Sequence, residues 1–126
     1  VLSSSTAGIT LAWDIPESTG CAELLRYQVE RDSGGGFKVV ANVSTPMQTY
    51  TDYSSLLPGY MYIYRVTARN VALDVDGPHS DHITAYAASL PGLVGNLGYV
   101  GSTRTSISLQ WDSPSDTGGA QLDAYR

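Results

Sequence analysis

The sequence has little of what most enzymes and nucleic-acid-binding proteins depend on. Cys21 is the only cysteine in 126 residues, which excludes an internal disulfide and a cysteine-based metal cluster. Lys38 is the only lysine, and the formal net charge of −5 is a poor electrostatic match for phosphate backbones. No apolar run approaches the length that crosses a bilayer. We therefore expect neither nucleic-acid binding nor membrane insertion of this segment.

Catalytic and metal-binding groups are also sparse. His79 and His82 are three residues apart on an extended segment, so they should point to different faces. No serine or cysteine lies in a nucleophile-elbow motif, and no base accompanies the single cysteine. Asp74, Asp76 and Asp81 offer too few oxygens, at too short a spacing, for a calcium loop. We expect a protein that is not an enzyme and that holds no cofactor or metal.

The residues that are plentiful indicate short strands joined by turns. Hydrophobic residues make up 42% of the chain and charged residues 15%, with 13 glycines, six prolines and nine tyrosines. Apolar and polar residues alternate in several runs, the period of a half-buried strand, and no stretch longer than a turn has a helical pattern. The predicted strands cover residues 9–14, 26–30, 37–43, 50–53, 62–68 and 82–87.

An internal repeat determines the expected organisation. Shifting the chain by 98 residues aligns its two ends without a gap, and 11 of the 28 aligned positions are identical, where background usage predicts about two. The first-copy residues that recur are Ser4, Ile9, Leu11, Trp13, Asp14, Pro16, Thr19, Gly20, Ala22, Leu24 and Tyr27. A repeat of this length is one small domain. We expect a module over residues 1–89 that lacks most of its first strand, and the first strands of a second module over 90–126, within a longer protein.

The run at residues 56–70 resembles the E–F corner and F strand of fibronectin type III domains. Those usually read Leu-x-Pro-Gly-x-x-Tyr-x-aromatic-x-Val-x-Ala-x-Asn. Trp13 matches the family's core tryptophan on strand B, Gly77-Pro78 its usual entry to strand G, and residues 111–125 repeat the B–C segment. The resemblance covers the whole chain and implies an all-β, immunoglobulin-like sandwich of seven strands, in tandem. Tyr62 would be the tyrosine corner, with its ring inside and its hydroxyl bonded to nearby backbone.

The same resemblance implies which residues form the core and which loops meet a partner. The implied core residues are Trp13, Tyr27, Tyr62, Tyr64, Val66 and Trp111. In this family the loops at residues 16–21, 44–48 and 71–78 lie at one end of the module. The candidate partner-binding residues are Pro16, Glu17, Ser18, Thr19, Gly20, Leu73, Asp74, Val75, Asp76 and Gly77. Trp111 should be covered by material outside these 126 residues, most simply the rest of its own module.

Two short motifs lie on exposed parts of the predicted fold. Asn42-Val43-Ser44 is an acceptor sequon for an N-linked glycan, near the end of a predicted strand. Residues 73–75 resemble a short integrin-recognition tripeptide, a match that three residues reach easily by chance. Asn42 is the candidate glycosylation site if the protein is secreted.

The function that the sequence favours is structural or adhesive. Modules in tandem hold other parts at a distance and present loops to protein partners, at the cell surface, outside the cell or in a filament. Two alternatives remain: an accessory module of a larger secreted enzyme, and a receptor ectodomain that binds a ligand through its loops. A cytoskeletal or ciliary scaffold is the alternative location. Fold alone does not decide among these.

Overall fold

The computed structural model describes residues 1–73 and 75–126, and these form an all-β protein with antiparallel pairing throughout. No helix among them is long and apolar enough to cross a membrane. The strands are β1 (Ser3–Ser4), β2 (Ile9–Ala12), β3 (Leu24–Asp32), β4 (Lys38–Ser44), β5 (Thr49–Asp52), β6 (Met61–Asn70), β7 (Ile83–Tyr86), β8 (Gly95–Ser102) and β9 (Ile107–Asp112).

The first seven strands form a two-layer sandwich. One sheet has the order β1-β2-β5, and the other has the order β4-β3-β6-β7. Each central strand turns alternate side chains inward, because successive residues of a strand point to opposite faces. The predicted immunoglobulin-like sandwich is confirmed, and β8 and β9 form a separate two-stranded sheet.

The core lies between the two sheets of the sandwich. Its buried members are Ile9, Leu11, Tyr27, Val29, Val43, Tyr62, Tyr64, Ala85 and Ala87. Trp13 and Val66 are half-buried and pack against this cluster. The Trp13 and Tyr27 rings meet edge to face, with their centroids 5.4 Å apart at 64°.

Tyr62 closes the corner between β5 and β6. Its ring is buried, and its hydroxyl accepts a hydrogen bond from the Leu57 N–H at 2.8 Å. Gly59 turns the chain with φ at +74°, and its N–H donates to the Ala87 carbonyl. The Arg31 guanidinium lies 5.1 Å from the centroid of the Tyr62 ring, and this cation covers the ring face.

A buried charge cluster ties the two sheets together at Asp52. Arg31 Nη1 lies 2.7 Å from Asp52 Oδ2, and the Tyr64 hydroxyl donates to the same oxygen at 2.9 Å. Burial acts to raise the pKa of Asp52. The hydrogen bonds from the Ser54 hydroxyl, the Ser54 N–H and Tyr64, with the Arg31 charge, lower it below its ordinary value. Burial, and then the bond to Asp52, raise the pKa of Tyr64.

The second hairpin reproduces the first in register but not in burial. Ser102 pairs with Ile107 as Ser4 pairs with Ile9, 98 residues earlier. Trp111 was expected to be covered by material outside these 126 residues; within the chain it is 42% exposed, and its cover stays a prediction. The described residues place no second sheet over it. Tyr125 packs beside its ring at 5.4 Å and 64°, the same geometry as the Trp13–Tyr27 pair.

Candidate functional site

Three loops meet at the end of the sandwich where β2, β4 and β6 finish. They span residues 13–23, 45–48 and 71–82. Backbone bonds join them: the Trp13 N–H donates to the Gln48 carbonyl at 3.1 Å, and the Val71 N–H donates to the Glu23 carbonyl at 2.9 Å. The ends of the three loops are therefore fixed to one another, and we call this end of the module the loop end.

Asn70, the last residue of β6, joins the first and third loops. Its Nδ2 donates to the Thr19 carbonyl at 2.9 Å, and its Oδ1 accepts the N–H groups of Ala72 and Leu73 at 3.1 and 3.0 Å. Gly20 has φ at +71°, and a Cβ there would lie 2.9 Å from Asn70 Nδ2. A side chain at position 20 would be strained in this conformation and would displace the Asn70 amide.

The loop after β6 is held by its own contacts. Arg69 Nε makes an ion pair with Asp76 Oδ1 at 2.9 Å. The Gly77 N–H donates to the Ala68 carbonyl at 2.9 Å, and the Ser80 N–H donates to the Val66 carbonyl at 2.8 Å. Both sides of the loop are therefore anchored to β6, and Asp76, a predicted partner-binding residue, already has an ion-pair partner.

A groove of about 600 Å³ runs between the first and third loops. Trp13 and Tyr27 line it together with Thr67. The buried Nε1 of Trp13 and the buried hydroxyl of Thr67 have no hydrogen-bond partner within the described part of the chain.

The three loops carry exposed apolar side chains, which together form what we call the loop tip, and two of them, Leu73 and Val75, line the groove. The loop tip consists of Ile15, Met47, Val71, Leu73 and Val75. Clustered apolar residues at a surface are typical of interaction sites, whereas scattered ones are ordinary. The sequence-based prediction named Leu73 and Val75, and its loop ranges contained Met47 and Val71 but not Ile15; the signal was an apolar residue next to the turn residues of each loop.

The remaining predicted site residues are placed as follows. Pro16 and Thr19 are half-buried, whereas Glu17, Ser18, Gly20 and Gly77 are exposed. Asp74 lies outside the described residues.

The other candidates for chemistry lie apart from one another. His79 faces Glu30, with Nδ1 3.4 Å from Oε2, whereas His82 packs on the Phe37 ring at 5.0 Å. Among the described residues, no three His, Cys, Asp or Glu side chains are grouped so that they could hold a metal ion. Asn42 is exposed on β4, and Cys21 is an exposed free thiol.

Comparison with known proteins relates the chain to parts of much longer ones. No family model matches it. It is 32% identical to a region of endoglucanase B of Cellulomonas fimi, which covers 96% of this chain and 12% of the glucanase. Exoglucanase B of the same organism is also 32% identical, over 98% of this chain and 11% of that protein. Human neogenin is 29% identical, over 97% of this chain and 8% of neogenin. The chain thus spans about a tenth of these relatives.

The structural likeness agrees with the sandwich described above. The crystal structure of the FN1–FN3 domains of chicken CNTN1 is similar with a TM-score of 0.56 at 20% sequence identity, over 89% of this chain and 40% of that one. The chain has the fibronectin type III fold, as its E–F corner indicated.

Proposed function

We propose that this chain is a non-catalytic tandem module that spaces its neighbours and binds protein partners through its loop end. The loop tip carries the proposal, because it presents five exposed apolar side chains, two of them lining a groove, on loops that are bonded to one another. A rigid, apolar surface loses little conformational entropy when a partner covers it. Exposed apolar side chains of this kind suit the centre of an interface whose rim is polar.

The relatives support a location outside the cell or at its surface. They include receptor-type tyrosine-protein phosphatase H and neogenin as well as the two bacterial glucanases. These are extracellular or cell-surface proteins. A structural or adhesive role in such a protein requires no catalytic group in the module.

An accessory module of a secreted enzyme is the second candidate. The 32% identity to the two glucanases favours it, and in both the aligned region is a small fraction of the protein. The two functions differ in what the loop tip meets. An adhesive module uses the tip to bind another protein, whereas a spacer in an enzyme requires only that its ends join its neighbours.

The test is a binding screen of the chain against an array of secreted and cell-surface ectodomains. A loop-tip variant with Val71, Leu73 and Val75 all changed to Ser should lose at least about tenfold in affinity for each bound ectodomain, since anchors at interface centres carry most of the energy. The matched control changes the exposed Leu57 and Tyr60 at the opposite end to Ser and should bind like the parent chain. Equal binding by both variants, or no ectodomain bound, would count against the adhesive function.

A further inference from the structure

The acidic residues of the chain are concentrated in the loops at the loop end, and cationic residues are absent from them. Residues 13–23 contain three carboxylates and residues 71–82 contain three more, which together are six of the twelve Asp and Glu residues. None of the seven Lys and Arg residues lies in these two loops or in residues 45–48. The six acidic residues are Asp14, Glu17, Glu23, Asp74, Asp76 and Asp81. The rest of the chain carries six acidic and seven basic residues, so the net charge of −5 arises at the loop end.

The cations of the sandwich lie on its four-stranded sheet, and three of them are already paired. Arg31 and Arg65 each pair with a carboxylate of the sheets at 2.7 Å. Arg69, near the end of β6, pairs with Asp76 of the third loop at 2.9 Å. Within the described part of the chain, four loop carboxylates are exposed and have no ion-pair partner: Asp14, Glu17, Glu23 and Asp81. The negative charge of the loop end is therefore not neutralised by the sandwich itself.

The second repeat shows that two of these carboxylates are not needed for the loop to fold. The copy 98 residues later has Ser115 and Gln121 where the first repeat has Glu17 and Glu23. The loop glycine nevertheless has φ at +71° in the first copy and +72° in the second. The neutral copy packs against the chain at residues 89–92, whereas both glutamates of the first copy face solvent. The charge thus occurs in the copy that is open to an outside partner.

The unpaired carboxylates lie beside the apolar side chains of the loop tip. Asp14 directly precedes the exposed Ile15 in the first loop. Asp14 also lines the groove, together with Leu73 and Val75 of the loop tip. Interfaces commonly have an apolar centre and a polar rim. The loop end has this arrangement, and its rim is negative.

We propose that the loop tip binds a protein segment in which Lys or Arg residues flank apolar side chains. The cationic groups of that segment meet the rim carboxylates, and its apolar side chains cover the tip. Long cationic side chains suit such a surface, because their aliphatic stems lie on apolar atoms while their charged ends stay near carboxylates and water. This inference rests on the proposed function and names the chemistry of its partner.

Charge complementarity favours this partner over two other occupants of the tip. A membrane surface that contains anionic lipids repels a negative rim. A second copy of the chain offers sheet cations of which three are already in ion pairs. Opposite charges on two proteins speed their encounter, and the gain falls as the salt concentration rises. The rim carboxylates should therefore act chiefly on the association rate.

The test selects short random peptides on phage against the whole chain. Phage that also bind the variant with Val71, Leu73 and Val75 changed to Ser are removed, and the remaining peptides should be enriched in Lys or Arg and in apolar residues. The association rate of the strongest such peptide is then measured by surface plasmon resonance at about 0.1 M salt, where the Debye length is about 10 Å. Glu17→Gln with Glu23→Gln should lower this rate by at least about threefold and weaken its salt dependence.

The matched control removes two exposed charges from the second repeat, with Asp112→Asn and Asp123→Asn. It has the same net charge as the double glutamine variant, so it separates the effect of the rim from that of the overall charge. Its association rate should stay within about 1.5-fold of the parent chain, because distant charges are screened at this salt concentration. Circular dichroism checks that both variants fold.

Several outcomes would overturn the inference. Selected peptides could be neutral or acidic, no peptide could require the loop tip, or the two double variants could bind at equal rates. Self-association in sedimentation, or binding to phosphatidylcholine vesicles, that is lost in the loop-tip variant would assign the tip to another occupant. The ectodomain screen does not depend on the charge of the partner. If bound ectodomains require the loop tip while the selected peptides are not basic, this inference fails and the proposed function stands.

Discussion

The β1–β2 and β8–β9 hairpins share sequence and register but differ in burial. Ile9 and Leu11 are 0% and 3% exposed, whereas their counterparts Ile107 and Leu109 are 72% and 54% exposed. Both hairpins keep the same Trp–Tyr ring geometry. Pairing and ring contacts are therefore local properties that the repeat carries with it. Burial is not local, because it requires the four-stranded sheet that faces β2.

The largest expected difference is between the two tryptophans. Trp13→Ala should lower the free energy of unfolding by about 3–5 kcal/mol, because it leaves a cavity between the sheets. Trp111→Ala should cost less than about 1 kcal/mol, since its side chain is 42% exposed and the described residues place no second sheet over it. Urea unfolding followed by far-ultraviolet circular dichroism measures both. Equal costs would mean that the second hairpin is as well packed as the first.

A smaller effect is expected at the charge cluster that ties the facing sheet to β5. Tyr64→Phe removes one hydrogen bond to buried Asp52 and should cost about 1–3 kcal/mol. Tyr62→Phe is the matched control. It removes a bond to the less buried N–H of Leu57 and should cost about 0.5–1.5 kcal/mol. The same urea titration separates them, and a larger loss for Tyr62→Phe would contradict this ranking.

The pH dependence of the unfolding free energy in acid also reports on the charge cluster at Asp52. Because the pKa of Asp52 is lowered in the folded state, its contribution is complete above its unfolded pKa of about 4 and is lost as pH falls through the lower folded pKa. Asp52→Asn should therefore make unfolding free energy less dependent on pH between about 5 and 2. Thermal unfolding over that range measures the slope. A slope as steep as the parent's would show that Asp52 is not responsible.

The smallest effect is expected at Asn42, on the outer face of β4. Asn42 and Ser44 are both exposed, and β4 is an edge strand, so a glycan could be added without disturbing the core. Secretion from a eukaryotic host should give a mass increase that endoglycosidase removes, with stability changed by less than about 0.5 kcal/mol. Ser44→Ala is the control that destroys the sequon. An unglycosylated secreted product would refute the assignment.

The sequence predicted the sandwich because its signals are periodic or local. Alternation located the long strand at Met61–Asn70, and Pro58-Gly59 with Tyr62 indicated the corner. The charge cluster was not predicted, since Arg31 and Asp52 are brought together by strands in different sheets and share no spacing rule. Packing between elements determines such pairs, and neither propensity nor periodicity reports it.

At the loop end, too, the sequence predicted the position of the loops but not the side-chain contacts between them. The three loops were expected to meet, but the role of Asn70 in joining two of them was not predicted. Asn70 matched the end of a family pattern, which gave no reason for an amide there. What covers Trp111 stays a prediction, because a strand pattern shows which side chains share a face, and not which layer covers that face.

The linker at residues 87–94 lies antiparallel to the loop at residues 114–120, and this arrangement has a mechanical consequence. The Ser89 N–H donates to the Gly118 carbonyl, and the Gly92 N–H donates to the Asp116 carbonyl, each at 2.8 Å. The β8–β9 pairs follow these bonds along the same extended segment. A force that pulls the two repeats apart along that segment loads these bonds together in shear, rather than opening them one at a time. Gly118 is necessary for this resistance, because a Cβ there would lie 2.0 Å from the Ser89 carbonyl oxygen and would keep the linker away from the loop.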